Sequence, residues 1–175
     1  TSEYQRVKGA TWLNVAKEYT LNFEQFSFDP RISAGIKAMG YHTPTPIQQQ
    51  AIPVVLKGRD VLGLAQTGTG KTAAFVLPIL QRLTKGPSHR VRVLIVAPTR
   101  ELAEQIHQAS VDLSKKTGVR SVTVYGGVSR IHQVAALQRG AEIVVACPGR
   151  LLDLLSDKSI DLSHVEVLVL DEADR

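Results

Sequence analysis

The sequence predicts an α/β fold in which a parallel sheet is flanked by helices on both faces. Short runs of β-branched and aliphatic residues alternate along the chain with longer segments of helical periodicity. The strand-like runs are apolar at nearly every position, which is typical of strands buried on both faces. Polar or glycine-rich motifs follow these runs directly, and folds of this class bind ligands at the carboxyl ends of their strands.

The composition is that of one domain of ordinary size. The 175 residues are 43% hydrophobic, which is enough for a core. The single cysteine, Cys147, predicts a reduced, intracellular protein, and the absence of a long apolar run predicts a soluble one. The net charge of +5 weakly favours an anionic partner such as a nucleotide or nucleic acid. Because there is no initiator Met and Arg175 comes just after an apolar run, we expect a fragment of a longer protein.

Residues 1–22 are polar and mixed, and the domain itself is expected to span residues 23–175. Four residues of the first segment stand at helical spacing: Trp12, Val15, Ala16 and Tyr19. This spacing predicts either an N-terminal extension or a short amphipathic helix.

Two helices are expected to open the domain. Asp29-Pro30 is typical of an N-cap followed by a first helical residue, and Gly40 is typical of a terminator. Thr45-Pro46 predicts a second helix that ends near Gly58, with Pro53 expected to kink or break its last turn.

Strands and helices are expected to alternate from there on. The predicted strands are Val61–Ala65, Val91–Ala97, Arg120–Tyr125, Ile143–Cys147 and Val165–Leu170. The predicted helices are Thr72–Leu83, Arg100–Lys116, Ser129–Gln138 and Arg150–Ser156. Since parallel strands end at one edge of their sheet, the motifs that follow them are expected to lie together there.

The segment from Val61 to Thr72 has the order of a phosphate-binding P-loop: an apolar run, a glycine-rich turn, and a Lys-Thr pair that opens a helix. The turn consists of Ala65, Gln66, Thr67, Gly68, Thr69 and Gly70. Its backbone N–H groups would point at phosphate oxygens, Lys71 would reach the β- and γ-phosphates, and the Thr72 hydroxyl would hold Mg²⁺. Ala65 departs from the strict pattern, which begins with glycine; the alternative is an ordinary glycine-rich turn.

Two adjacent acids, Asp171 and Glu172, follow the apolar run Val165–Leu170. Carboxylates at the end of a buried strand are costly unless a cation neutralises them. Asp171 therefore suits the role of an Mg²⁺ ligand, and Glu172 that of a base or orienter for an attacking water. The alternative is a helix N-terminus rich in acids.

Six motifs, in order, resemble the DEAD-box ATP-dependent RNA helicases over about residues 23–175. They are Gly40-Tyr41 with Pro44–Gln48, Ala65–Thr72, Pro98–Ala103, Gly126-Gly127, Cys147–Arg150 and Asp171–Asp174. Alanine at the head of the P-loop is usual in this family. The resemblance implies a first RecA-like P-loop NTPase domain whose last strands, like the second RecA-like domain, would lie outside this chain. The compact loops resemble bacterial members, for which a cytoplasmic location is expected.

The resemblance implies an ATP site made by the loop Ala65–Thr72 together with Phe23, Tyr41 and Gln48. The Gln48 amide can both donate to and accept from the N6–N7 edge of adenine, so it would select ATP over GTP. Tyr41 would stack on the base, and Phe23 resembles an upstream aromatic of the family, with core packing as its alternative role. The expected cofactors are ATP and Mg²⁺, and the expected catalytic residues are Lys71, Asp171 and Glu172.

The resemblance also implies that three loops bind the sugar–phosphate backbone of one RNA strand without reading its sequence. They are Pro98-Thr99-Arg100, Gly126-Gly127 and Pro148-Gly149-Arg150. Arg100 and Arg150 would contact phosphate; the alternative for either is a solvated surface arginine or a partner of a helix dipole. Cys147 stands where the family usually has threonine, so one hydroxyl contact would be lost or replaced by backbone.

The implied activity is ATP hydrolysis that drives local unwinding of RNA duplexes or remodelling of RNA–protein complexes. In the family, the second domain supplies an arginine to the transition state. This chain alone is therefore expected to bind nucleotide weakly and not to unwind a duplex. Two other classes stay open, a nucleotide-gated RNA clamp or assembly scaffold and a DNA translocase.

Overall fold

A computed structural model of the chain describes residues 22–63, residue 66 and residues 68–172. The prediction for residues 1–22 lies outside the described residues, except for Asn22, whose side chain caps a short 3₁₀-helix at Phe23–Phe26. Two predicted site residues, Ala65 and Thr67, also lie outside them.

Six helices and four strands follow in the described part of the chain. The helices are α1 (Pro30–Ala38), α2 (Pro46–Leu56), α3 (Lys71–Leu83), α4 (Arg100–Ser114), α5 (Arg130–Gln138) and α6 (Pro148–Ser156). The strands are β1 (Val93–Val96), β2 (Ser121–Val124), β3 (Ile143–Ala146) and β4 (Val167–Leu170). No helix among the described residues is long and apolar enough to cross a membrane.

The four strands form one parallel sheet in the order β2-β3-β1-β4. In the centre of the sheet, Val96 at the end of β1 is in register with Ala146 of β3 and with Leu170 of β4. Val124 at the end of β2 is in register with Ala146 as well. All four strands therefore end at the same edge.

Helices cover both faces of this sheet, which confirms the predicted fold class. One core lies between the sheet and helices α1–α4, and alternate strand residues such as Ile95 and Val145 enter it. The residues between them, such as Leu94 and Val144, enter a second core against α5 and α6. The central strands are thus buried on both faces, which is why their sequences are apolar throughout.

The predicted start of α1 at Asp29-Pro30 is confirmed. The Asp29 carboxylate accepts a hydrogen bond from the Arg31 backbone N–H over 2.9 Å, and Pro30 is the first residue of α1. Thr99 caps α4 in the same way, since its hydroxyl accepts from the Leu102 N–H at 3.2 Å. Pro53 does not break α2, which continues to Leu56.

The prediction of a strand at Val61–Ala65 is wrong for residues 61–63, which are the part of it that the structure describes. Val61, Leu62 and Gly63 form no strand, and Leu62 is 92% exposed. A strand needs a hydrogen-bonding neighbour, and among the described residues β4 pairs only with β1. On the same open side of the sheet, Leu168 and Leu170 of β4 are 58% and 59% exposed.

Candidate functional site

The candidate site lies where the four strands end, because four of the six predicted motifs begin one or two residues beyond a strand. Three backbone hydrogen bonds continue the sheet into these segments: Asp171 N–H to Val96 at 3.0 Å, Ala97 N–H to Ala146 at 2.9 Å and Cys147 N–H to Val124 at 2.8 Å. The loops after β1, β2 and β3 and the acids after β4 are thereby held side by side.

The glycine-rich turn leads into the start of α3. Gly68 and Gly70 have φ angles of +83° and +89°, in the region that favours glycine. Gly70 is the N-cap of α3, and no side chain of the described residues caps this helix. The first N–H groups of α3 therefore have no side-chain acceptor there, which leaves a helix N-terminus suited to an anion such as phosphate.

Lys71 and Asp171 line the same cavity, of about 240 Å³, between α2, α3 and β4. Thr72 is the next residue of α3 after Lys71 and is half-buried. The structure thus brings together a cation, a carboxylate and the open helix N-terminus. A nucleotide phosphate with a divalent cation fits such a set, because the cation would be shared between carboxylate and phosphate oxygens.

Glu172 follows directly and has a φ of +50°, which is uncommon for a residue other than glycine. Its backbone N–H donates to the Asp171 carboxylate over 3.1 Å. Strained backbone of this kind is found at functional sites more often than elsewhere. Among the described residues, no group of three or more His, Cys, Asp or Glu side chains could hold a metal ion.

Gln48 is buried beside the glycine-rich turn, with 4% of its surface exposed. Its Oε1 accepts from the Thr45 backbone N–H at 2.9 Å, and its Nε2 donates to the Gly70 carbonyl at 3.1 Å. The amide therefore ties α2 to the start of α3. One lone pair and one N–H of the amide remain, which is what the edge of adenine requires.

The two aromatic residues predicted for the nucleotide site differ in exposure. Phe23 is 7% exposed and belongs to the core between the sheet and helices α1–α4. It stacks on Tyr41 with ring centroids 6.2 Å apart, and Tyr41 is half-buried. Tyr41 thus has ring surface left for a base, whereas the contacts of Phe23 are those of a packing residue that supports Tyr41.

Arg100 and Gly127 lie close together at the ends of β1 and β2. The Arg100 guanidinium carbon is 4.9 Å from the centre of the Tyr125 ring. A methyl group at Gly127 would lie 3.9 Å from Arg100 Nη1. The loop Gly126-Gly127 and the start of α4 therefore form one surface that carries an exposed guanidinium.

Arg150, in the first turn of α6, reaches the same loop. Its Nη1 donates to the Val128 carbonyl over 3.3 Å, and its Nε is 3.7 Å from the Asp153 carboxylate. Only 15% of the Arg150 side chain is exposed, whereas Arg100 is exposed. Arg150 is therefore better placed than Arg100 to hold the loop after β2 in position. Pro148 and Gly149 beside it are exposed.

Cys147 precedes α6 and has the electrostatics of an inert thiol. Burial, followed by the nearby Glu101 carboxylate, raises the pKa of the Cys147 thiol above its ordinary value. Since the thiolate is the reactive form, this shift opposes a role as a nucleophile.

Sequence reasoning missed Tyr125 and Glu104. The Tyr125 hydroxyl donates to a Glu104 carboxylate oxygen, and this bond is the main cause of a raised Tyr125 pKa. The available signals were the place of Tyr125 at the end of a strand just before Gly126 and the four-residue spacing between Arg100 and Glu104.

A family model described as DEAD/DEAH box helicase matches residues 45–175 of the chain. The ATP-dependent RNA helicase DBP3 of Debaryomyces hansenii is 47% identical over 162 residues, which are 93% of this chain and 30% of that protein. The ATP-dependent RNA helicase CshA of Listeria monocytogenes is 46% identical over 152 residues, which are 87% of this chain and 29% of that protein.

A solved structure is similar throughout the domain. The crystal structure of the RNA-helicase Prp28 from Chaetomium thermophilum bound to ADP matches with a TM-score of 0.81 and 41% identity, over 87% of this chain and 38% of that chain. The chain thus spans only about a third of the length of these proteins. On the family model, the relatives and the fold together, it belongs to the DEAD/DEAH box helicase family.

Proposed function

We propose that this chain is the ATP-binding and RNA-binding first domain of an ATP-dependent RNA helicase. The observation that carries the proposal is the sharing of one cavity by Lys71 and Asp171, at the edge of the sheet where Arg100 and Gly127 also lie. A nucleotide bound in that cavity would therefore lie at the same edge of the sheet as a cationic surface. The relatives named ATP-dependent RNA helicases and the ADP-bound neighbour support this reading.

The residues at the start of α3 would bind the phosphates of ATP. The first N–H groups of the helix and the Lys71 ammonium would neutralise them. Gln48, with Tyr41 stacked on the base, would select adenine. When bound, Mg²⁺ would neutralise charge on the β- and γ-phosphates, held by Asp171 and Thr72 partly through water. Glu172 would orient the attacking water.

The loops after β1, β2 and β3 would bind one RNA strand by its backbone. Arg100 and Arg150 supply charge, and the exposed Gly126-Gly127 and Pro148-Gly149 let the strand approach the main chain closely. None of these groups reads base edges, so binding would be independent of sequence.

Unwinding would require more than these residues. Phosphoryl transfer is accelerated when a further arginine reaches the transition state, and a second RecA-like domain would supply it. ATP would then close the two domains on the RNA strand and bend it away from duplex geometry. Steady duplex separation by the 175-residue chain alone would refute this part of the proposal.

The decisive measurement is ATP hydrolysis by the longer protein that contains this chain, with single-stranded RNA, with matched DNA and with neither. We expect stimulation by RNA alone, abolished by Lys71→Ala and by Glu172→Gln. Lys115→Ala, which removes a surface charge paired with Asp112 at the far end of α4, is the control and should hydrolyse ATP normally. Equal stimulation by DNA would favour a DNA translocase, and ATP-dependent RNA binding without unwinding would favour an RNA clamp.

A further inference from the structure

Tyr125 lies between two charged residues of one helix. Its ring is below the Arg100 guanidinium, and its hydroxyl is bound to the Glu104 carboxylate, one turn further along α4. Tyr125 itself is 8% exposed. Its backbone carbonyl accepts from the side-chain amide of buried Gln133 over 2.9 Å. Ring, hydroxyl and backbone are therefore each fixed by a different neighbour.

In this arrangement Arg100 and Glu104 form no ion pair. Arg100 and Glu104 are four residues apart on α4, a spacing at which opposite charges ordinarily pair. Glu104 instead accepts the Tyr125 hydroxyl, and no ion pair of the described residues involves Arg100. The guanidinium therefore lies on an aromatic face while its charge remains available.

Arg100 is exposed, and its guanidinium carbon lies over the Tyr125 ring. A guanidinium in this position can keep N–H groups directed away from the ring. Gly127 adds no side chain beside Nη1. A planar fork of N–H donors matches the oxygens of a phosphate, which can accept two parallel hydrogen bonds.

We propose that Tyr125 is a positioning residue that holds the Arg100 guanidinium ready for a backbone phosphate of the bound nucleic acid. The inference rests on the proposed function, because it assigns Tyr125 a part in the RNA contact of Arg100. Glu104 acts one step further away, by fixing the ring through its hydroxyl.

The test measures the RNA concentration that gives half-maximal stimulation of ATP hydrolysis by the longer protein. Arg100→Ala should raise this concentration about tenfold, because it removes a charge-assisted contact. Tyr125→Leu should raise it roughly two- to fivefold, the range of an exposed cation–π contact. The effect is expected in this RNA concentration rather than in the KM for ATP, because neither residue lines the cavity that Lys71 and Asp171 share.

A double-mutant cycle then separates positioning from a merely structural effect. If Tyr125 acts through Arg100, the double variant should be no worse than Arg100→Ala alone. Tyr125→Phe keeps the ring but frees Glu104 to pair with Arg100, so it should recover only part of the affinity lost in Tyr125→Leu. Lys115→Ala removes a positive charge at the far end of α4 and is the control for charge alone.

The possible failures are distinguishable. No effect of Arg100→Ala would overturn both this inference and the RNA contact assigned to Arg100. If Arg100→Ala weakens RNA binding but Tyr125→Leu does not, only the positioning role is overturned. The same holds if the effects of the two substitutions add fully in the double variant. Arg100→Lys keeps the charge but loses the planar fork, so it should raise the RNA concentration at least as much as Tyr125→Leu does. A lysine variant equal to wild type would overturn the inference even if Tyr125→Leu did not fold.

Discussion

The side-chain amide of Gln48 donates a hydrogen bond to the backbone carbonyl of Gly70, over 3.1 Å. The residue proposed to select adenine is therefore bonded to the turn proposed to hold the phosphates. A methyl group on Gly70 would come within 2.6 Å of the same amide nitrogen, so the two residues also fit closely. A substitution of Gln48 should therefore change both the stability of the domain and its affinity for the nucleotide.

Gln48→Glu should destabilise the domain and weaken nucleotide binding. The new carboxylate would place an oxygen against the Gly70 carbonyl in a buried site, and the loss should be about 2 kcal/mol in the free energy of unfolding. Gln50→Glu makes the same chemical change at an exposed position of α2 and is the control. Urea denaturation and titration with a fluorescent ATP analogue measure the two effects. Equal stability of the two variants would contradict the prediction.

At the opposite edge of the sheet, Glu166 joins two arginines. Its carboxylate accepts from Arg92 Nε at 2.7 Å and Nη2 at 3.2 Å, and from Arg82 Nε at 3.0 Å. Arg92 is buried, with 4% of its side chain exposed. Glu166→Gln should lower the free energy of unfolding by about 1–3 kcal/mol, because it leaves a buried guanidinium without its counter-charge.

The comparison variant for this prediction is Asp153→Asn. Asp153 is 69% exposed and lies 3.7 Å from its arginine partner. Because this carboxylate is exposed and the separation is long, a change below about 0.5 kcal/mol in the free energy of unfolding is expected in urea denaturation. A loss as large as that of Glu166→Gln would show that the burial of Arg92 is not what matters.

The same carboxylate predicts a pH dependence. Hydrogen bonds from Arg92 and then Arg82 lower the pKa of Glu166 from 4.5 to about 2. Because the folded-state pKa lies below the unfolded value, the stabilisation is complete above about pH 4.5 and is lost as the pH falls towards 2. The gap in stability between wild type and Glu166→Gln should therefore narrow over this interval in urea denaturation. A gap that stays constant from pH 7 to pH 3 would contradict the assignment.

The fold was predictable where the deciding signal is local. The N-cap at Asp29, the helical stripe of α4 and the apolar run of β3 depend on near neighbours in sequence, and each element was found within two residues of its predicted ends. The strand Val61–Ala65 depends instead on a pairing partner far along the chain. Its apolar residues fit a buried strand, but a sequence pattern does not show whether the neighbour is there.

The site was predictable in its location and not in its internal contacts. Placing motifs at strand ends is enough to bring Arg100 and Asp171 to one edge, since the four strands are parallel. Lys71 lines a cavity with Asp171 although no strand precedes it among the described residues. The contact between Arg100 and Tyr125 joins residues 25 positions apart, and it depends on how the loop after β2 lies against α4. The inward bonds of Gln48 likewise depend on the packing of α2 against α3.

The crossing of α1 and α4 gives the last prediction, because propensity and packing oppose each other at Gly35. Alanine is the better helix former by about 1 kcal/mol, so Gly35→Ala would stabilise α1 if propensity decided. A methyl group there would overlap the Leu113 carbonyl oxygen and come within 3.0 Å of its carbon. Backbone atoms cannot turn aside as a flexible side chain can, so the helices must separate, at a cost of about 1–3 kcal/mol.

Gly35→Ala should therefore lower the free energy of unfolding by up to about 2 kcal/mol in urea denaturation. Ala34→Gly, at the exposed neighbouring position of the same helix, measures propensity alone and should lower it by about 1 kcal/mol. If Gly35→Ala is instead more stable than wild type, the two helices have room to move apart. In that case Gly35 would not set the distance between α1 and α4, and the close crossing at Leu113 would contribute little to the position of α4 against the sheet.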